Sequence, residues 1–204
     1  MAQLTSGLRK IFNVPEIYTW FQNFLGAQRT RRELVDSHLS LEDGMSILDV
    51  GCGPGDLLPF IKDNVTYFGF DFDRSYINSA VRKWGHRGTF ICEDVASFDF
   101  GKQTFDRIII VGVLHHLDDS QVETLFRKLK VILSPNGYLL CLENVFSPGQ
   151  SPVARYLISM DRGLNVRTPD GYASLCKKHF NKVNFEIRHD LLRIPYTHIL
   201  IKCR

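Results

Sequence analysis

Residues 47–56 read Ile-Leu-Asp-Val-Gly-Cys-Gly-Pro-Gly-Asp. The apolar run 47–50 predicts a buried strand, and Gly51, Gly53 and Gly55 allow a backbone turn that side chains would block. Helical spacing resumes at Asp56 and predicts a helix over 56–62. Strand, glycine turn and helix start make a loop where a ligand can approach bare backbone near unpaired N–H groups. The spacing departs from the dinucleotide fingerprint G-x-G-x-x-G, because the third glycine falls one residue early and Asp56 stands in its place. Asp49 precedes the turn by two residues. Carboxylates at the strand end and at the helix start would repel a pyrophosphate and accept a cationic ligand. The phosphate loop G-x-x-x-x-G-K-[ST] is absent.

The rest of the chain bounds this reading. Its 204 residues suggest one domain with a sizeable core. At 44% hydrophobic and 23% charged residues, the composition is that of a soluble globular protein. A net charge of +3 is too small to imply nucleic acid. The five cysteines, Cys52, Cys92, Cys141, Cys176 and Cys203, are odd in number and form no CxxC pair. That spacing indicates neither a zinc site nor a disulfide framework, and it suits a reducing cytoplasm. The first residues lack a signal-type apolar region, and no apolar run approaches the length of a membrane span.

Residues 14–39 are helical in pattern, with Pro15 in a first turn and a break expected at Gly26. The first half is strongly aromatic (Tyr18, Trp20, Phe21, Phe24), and core packing is the expected use of those rings. Apolar runs then recur at 46–50, 66–70, 89–92, 107–111 and 138–142, with helical patterns at 74–84 and 120–133. Continuous rather than alternating runs predict strands covered on both faces. The alternation of strand and helix predicts a doubly wound parallel sheet. Residues 146–170 carry three prolines and three arginines with little periodicity. A helix is expected over 171–180, followed by two adjacent, antiparallel strands at 183–188 and 197–202.

Ligands of open α/β sheets bind beyond the carboxyl ends of the strands. Asp71 follows the second strand, 16 positions after Gly55, near the offset at which an acid takes ribose hydroxyls. Glu93-Asp94-Val95 follows the third strand, where a carboxylate can accept from an exocyclic amine. Gly112-Val113-Leu114-His115-His116-Leu117-Asp118 follows the fourth. Together these residues describe a nucleoside pocket without a phosphate site. With these motifs in register, the chain resembles the class I S-adenosylmethionine-dependent methyltransferases of the bacterial small-molecule type. The resemblance is good over 46–144 and looser through the late strands.

The resemblance implies a seven-stranded Rossmann-like sheet, mostly parallel with its last strand antiparallel, behind N-terminal helices. It implies one methyltransferase domain: a helical cap (1–43), a cofactor core (44–144), an acceptor insertion or lid (145–170) and a C-terminal helix with strands (171–204). It implies S-adenosyl-L-methionine as cofactor, held by Asp49, Gly51, Gly53, Asp71, Phe72, Asp94, Val95 and Val111, with no metal. The cofactor's sulfonium and ammonium groups account for acids that would oppose a pyrophosphate. His115 and His116 are candidate general bases, an imidazole having a suitable pKa; packing and a carbonyl bond are the alternative. Arg29, Arg31, Arg32, Arg155, Arg162 and Arg167 suggest an anionic acceptor, or one arginine paired with the cofactor's carboxylate; solvated faces are the alternative. Tyr172, Tyr196 and His198 are further candidates for the cleft. The expected activity is methyl transfer to a small molecule at O, C or N. A non-catalytic module binding S-adenosylmethionine or its demethylated product is the competing reading. The modest charge, and the lack of an N/D-P-P-Y/F/W motif at the fourth strand, argue against a nucleic-acid substrate.

Overall fold

Alternate residues of the apolar runs pack into two different cores. Leu48, Ile108, Ile110, Leu139, Cys141, Ile199 and Ile201 belong to one cluster. Their neighbours Ile47, Ile109, Leu140, Leu142 and Leu200 belong to the other. Each run is continuous because the sheet between the clusters is covered on both sides.

The computed structural model describes residues 25–161 and 163–204. Its strands are β1 (Ser46–Val50), β2 (Thr66–Phe70), β3 (Gly88–Ile91), β4 (Phe105–Val111), β5 (Leu133–Asn144), β6 (Val183–Arg188) and β7 (His198–Cys203). They form one seven-stranded sheet in the order β3-β2-β1-β4-β5-β7-β6. Strands β1 to β5 pair in parallel, and β7 runs antiparallel to both β5 and β6. This is the mostly parallel sheet with an antiparallel last strand that the sequence predicted. The chain order reverses between β1 and β4, so their carboxyl ends flank a crevice. Val50 lies opposite both Phe70 and Ile110, and Val111 opposite Leu142, which brings the residues after four strands to one rim.

The helices are α1 (Ala27–Glu33), α2 (Arg74–Trp84), α3 (Asp119–Ile132), α4 (Pro152–Ser159) and α5 (Pro169–Lys177). The α2 span is the one expected, capped by Asp73, whose side chain accepts from the Ser75 and Tyr76 amides. Asp118 and Gln121 close a reciprocal capping box on α3. Val122, Leu125, Phe126 and Leu129 of α3, and Tyr172, Leu175 and Cys176 of α5, fill the first cluster. Leu34, Val35 and Leu39 cover the second face.

Three expectations need correction. No α-helix forms over 56–62: only a 3-10 turn at Leu58–Phe60 follows the glycine loop. Pro59 stands in the first turn, where its missing N–H costs nothing, and the segment ends where Ile61 adopts extended backbone (φ −90°, ψ 137°). The helix expected to reach residue 39 widens into a π-turn at Leu34–Leu39. Arg107, buried on β4, donates to the carbonyls of Leu39 (2.7 Å) and Ser40 (3.2 Å) that this end leaves open. The aperiodic 146–170 segment contains α4, with Ser151 accepting from the Ala154 amide and Pro152 in the first turn. The aromatic stretch from Tyr18 to Phe24, and Arg162, lie outside the described residues.

Candidate active site

The residues that follow β1 to β5 converge on one cleft of about 1240 Å³. That is larger than most single-ligand sites, so it has room for two small molecules side by side. Gly51, Gly53, Asp71, Phe72, Asp94, Val95, Val111, His115 and His116 all line it. Of the residues expected to hold the cofactor or act as base, Asp49 alone is not on the wall.

The glycine loop holds the β1 side. Gly51 has φ of 77°, and a Cβ there would lie 2.3 Å from Val113 Cγ2. Only glycine lets the loop pass beneath the β4 end at this point. Gly53 has φ of 54°, and its hypothetical Cβ meets nothing within 4 Å, so bare backbone faces open space. The expectation of unpaired loop N–H groups does not hold. The Gly51 and Cys52 amides donate to the Phe70 carbonyl (2.8 and 2.9 Å), and Gly53 N–H donates to Asp71 Oδ2 (2.9 Å). These three amides are thus bonded within the protein and are not offered to a ligand, in keeping with the absent phosphate fingerprint.

Asp71 joins two features of the site. Its Oδ2 fixes Gly53, and its Oδ1 accepts from the Asp73 amide at 2.9 Å. Burial pushes its carboxyl pKa upward against these bonds. Asp94 turns the β3 exit: its Oδ1 accepts from the Ala96 amide at 2.8 Å, and Val95 is buried behind it. Phe72 stands 51% exposed at the rim, an apolar surface on which a flat heterocycle can lie.

Asp49 lies beneath the loop, 4% exposed. Burial pushes its pKa up to about 7, although the Tyr67 hydroxyl donates to Oδ2 at 2.6 Å and opposes the rise. The neighbouring Asp71 and Asp56 add to the rise, and Arg31 offsets it. Arg31 of α1 lines the cleft, 3.5 Å from Asp56 Oδ2.

The β4 side is built on an acid the sequence reading overlooked. Glu143, fully buried at the end of β5, accepts from the Val113 and Leu114 amides through Oε1 (2.9 and 2.8 Å). It thereby caps the 3-10 turn Leu114–His116. Its Oε2 meets His115 Nδ1 at 2.6 Å. On the other side of the ring, His115 Nε2 is 3.2 Å from Asp161 Oδ1. Tyr196 Oη donates to Asp161 Oδ2 at 3.1 Å, and Gly163 N–H donates to Oδ1 at 2.9 Å. Burial pulls the His115 pKa down, but its bonds to Asp161 and Glu143 outweigh that and lift it to about 9. His115 is therefore an imidazolium held between two carboxylates at neutral pH, donating from both nitrogens. The same pairing holds the Asp161 carboxyl well below the usual range against the opposing effect of burial.

His116 stacks against this ring, 4.1 Å between centroids, and lines the cleft. Asn144, Tyr196 and His198 complete that end. His198 is neutral at pH 7, burial having pulled its pKa down to about 4. Tyr172 is core: it is 1% exposed, with its hydroxyl on the Asn144 carbonyl at 3.1 Å. The arginines separate similarly. Arg167 is consumed by the Leu114, Leu117 and Asn165 carbonyls and by Asp119. Arg155 stacks over Phe146, and Arg32 over Phe60. Among the described residues, Arg31 alone of the candidate arginines reaches the cleft wall. Of the two acids that hold His115, Glu143 was detectable, since it ends an apolar run much as Asp71 and Asp94 follow theirs, whereas Asp161 follows the short α4 and carried no such signal.

Known proteins resemble the chain in sequence and in fold. Residues 47–137 match a family model described as a methyltransferase domain. The chain is 28% identical over 120 residues to a probable (S)-tetrahydroprotoberberine N-methyltransferase 2 of Papaver bracteatum, covering 55% of this chain and 33% of that protein. It is 30% identical over 171 residues to phosphoethanolamine N-methyltransferase 1 of Triticum aestivum, covering 81% of this chain and 34% of that protein. The chain thus spans about a third of the length of these curated relatives. Among solved structures, the magnesium protoporphyrin IX methyltransferase of Synechocystis PCC 6803, solved with bound S-adenosylhomocysteine, superposes with a TM-score of 0.66 at 19% identity, covering 97% of both chains.

Proposed function

The chain belongs to the class I S-adenosylmethionine-dependent methyltransferases, and we propose that it transfers the cofactor's methyl group to a small-molecule acceptor bound beside His116, Asn144, Tyr196 and His198. One observation carries this reading: the glycine loop, Asp71, Asp94 and the β4 end, separate in sequence, line one cleft with space for a second ligand.

The residues present fit the cofactor. Asp71 keeps free lone pairs on both oxygens after its two amide bonds, enough to accept from a ribose diol. Asp94 has a second oxygen for an adenine amine, and Phe72 offers a face to the ring. Gly53 gives the methionine portion an unobstructed approach. Arg31 takes the amino-acid carboxylate, which replaces its longer contact to Asp56. Buried Asp49 supplies negative potential beneath the cationic part of the cofactor. The bound cofactor contributes an electrophilic methyl on a sulfonium. The chain aligns the acceptor for in-line transfer and excludes water.

His115 acts here as a positioning residue. An imidazolium bonded at both nitrogens has no lone pair for an acceptor proton. His116, on the cleft wall, is the residue assigned to proton removal. Arg167, consumed by structural bonds, leaves the acceptor's charge to be found by experiment. Five unpaired cysteines favour a reducing, cytoplasmic setting, and no helix among the described residues is long and apolar enough to cross a membrane.

The test is release of S-adenosylhomocysteine from isotope-labelled cofactor with a panel of amine, hydroxyl and lipid-linked acceptors. Cofactor binding with label transfer to an acceptor supports the proposal. Binding without transfer to any member supports a non-catalytic module, and no binding of either cofactor form overturns both.

A further inference from the structure

We propose that the described residues of the segment 153–164 form a lipid-docking face, which rests on an anionic membrane surface and leads an amphiphilic acceptor to the cleft. The proposal rests on the methyl-transfer reading of the cleft.

Nine large apolar side chains are exposed among the described residues, and four of them fall within these twelve positions. Val153 is 54% exposed, Tyr156 63%, Met160 48% and Leu164 58%. Val153, Tyr156 and Met160 are spaced three and four apart, so they share one side of α4 and its last turn. Ala154 and Ile158, on the opposite side, are buried and anchor the helix to the body of the protein. The same element forms cleft wall through Leu157, Met160 and Asp161. Apolar surface therefore continues from solvent into the acceptor end of the site.

Charge selects the occupant. Residues 145–160 contain no carboxylate, and their only ionised side chain is Arg155, exposed on α4. The next acid, Asp161, is already paired with His115. A short apolar face with Tyr at its edge and a cation beside it matches the chemistry of an anionic lipid interface. A stable dimer needs some 20–30 residues a side, about 800 Å² each, far more than one eight-residue helix and its exit turn present. Interfacial insertion needs only a few side chains. Apolar tails and an anionic headgroup layer are thus the partner this segment fits.

Flotation of the full chain with vesicles of pure phosphatidylcholine, and of phosphatidylcholine mixed with phosphatidylglycerol, tests this. The expected result is binding to the mixed vesicles only. The triple variant Val153→Ser, Tyr156→Ser, Leu164→Ser should weaken it about tenfold or more, and Arg155→Glu should remove the preference for anionic vesicles. None of these side chains lines the cleft, so calorimetric affinity for S-adenosylmethionine should stay unchanged in both variants. Loss of cofactor affinity in the wild type would sink the methyl-transfer reading without touching vesicle binding. Two outcomes overturn the lipid proposal. One is absence of wild-type binding to either vesicle, as when a second copy or the chain's own first 24 residues occupy the face. The other is vesicle binding that the triple variant retains.

Discussion

Replacing Asp49 with asparagine should stabilise the protein and impair its cofactor site in the same step. Asp49 is buried beneath the glycine loop, and its pKa is raised from 3.8 to about 7. A raised carboxylate pKa means the folded state holds a proton that the unfolded state releases between those values. Stability therefore falls as pH rises through that window and is lowest above pH 7. Three pKa units correspond to about 4 kcal/mol of lost stability at pH 8.5. Of this, about 2 kcal/mol develops between pH 5.5 and 7. The asparagine side chain keeps an oxygen for the Tyr67 hydroxyl and carries no charge, so the variant escapes the penalty. Melting of wild type and variant at pH 5.5 and 8.5 reads the difference directly. The variant's advantage should grow by about 2 kcal/mol, or roughly 4–8 °C for a chain of this size, at the higher pH. The titration of His115 is common to both proteins and cancels. Calorimetry should show the opposite trend for function. Wild-type affinity for the cationic cofactor falls at pH 5.5, where Asp49 is protonated, and the variant binds weakly at both pH values. A variant that melts no higher than wild type at pH 8.5, or whose advantage is the same at both pH values, refutes the reasoning.

Asp71→Ala removes the carboxylate proposed above to accept from the ribose diol and should weaken S-adenosylmethionine binding about a hundredfold by calorimetry. His115→Ala leaves Glu143 and Asp161 facing each other and should cost about 3 kcal/mol in denaturant unfolding at pH 7. In the wild type the His115 pKa is raised above 6.5, so its contribution is complete below that pH and disappears as pH passes through about 9, a decline in melting temperature that the variant lacks. Gly51→Ala drives a methyl group into Val113 at positive φ and should cost about 2 kcal/mol of stability. Gly53→Ala meets no neighbour and should cost about 1 kcal/mol, while its effect on cofactor affinity is the larger, as paired melting and calorimetry would show.

The sheet was legible because its strands are buried on both faces and their apolar runs are uninterrupted. The spans of β1, β2, β6 and α2 in the structure are those predicted. Elements were misread where a tertiary contact or a proline governs the backbone. Residue 133 joins β5 only because Leu133 pairs with Phe105 across a register shift, which no local pattern in 133–137 records. The π-turn at 34–39 depends on Arg107, nearly 70 positions away. The short α4 had its Ser-Pro start in plain view, but eight residues gave too little periodicity to register against three prolines.

The candidate site divides by the same logic. Asp71 and Asp94 sit at strand ends within a recurring spacing, so an acid-after-strand rule found them. Glu143 obeys that rule too, and its burial could have been inferred from the apolar run before it. Its role could not, since it depends on the β4 turn folding back so that three amides and an imidazole converge on one carboxylate. His115 and His116 are adjacent and chemically identical, and no reading of the chain separates them. The structure does so through environment. One ring points between Glu143 and Asp161 and becomes a fixed cation, while its neighbour lies on the cleft wall. The His115 ring, held between Glu143 of β5 and Asp161 just after α4, ties this side of the cleft to the sheet. Once Glu143 is recognised beneath the turn, the two histidines part: the His115 ring is bonded at both nitrogens, to Glu143 and to Asp161, and His116 is the one of the pair left facing the cleft without those acids.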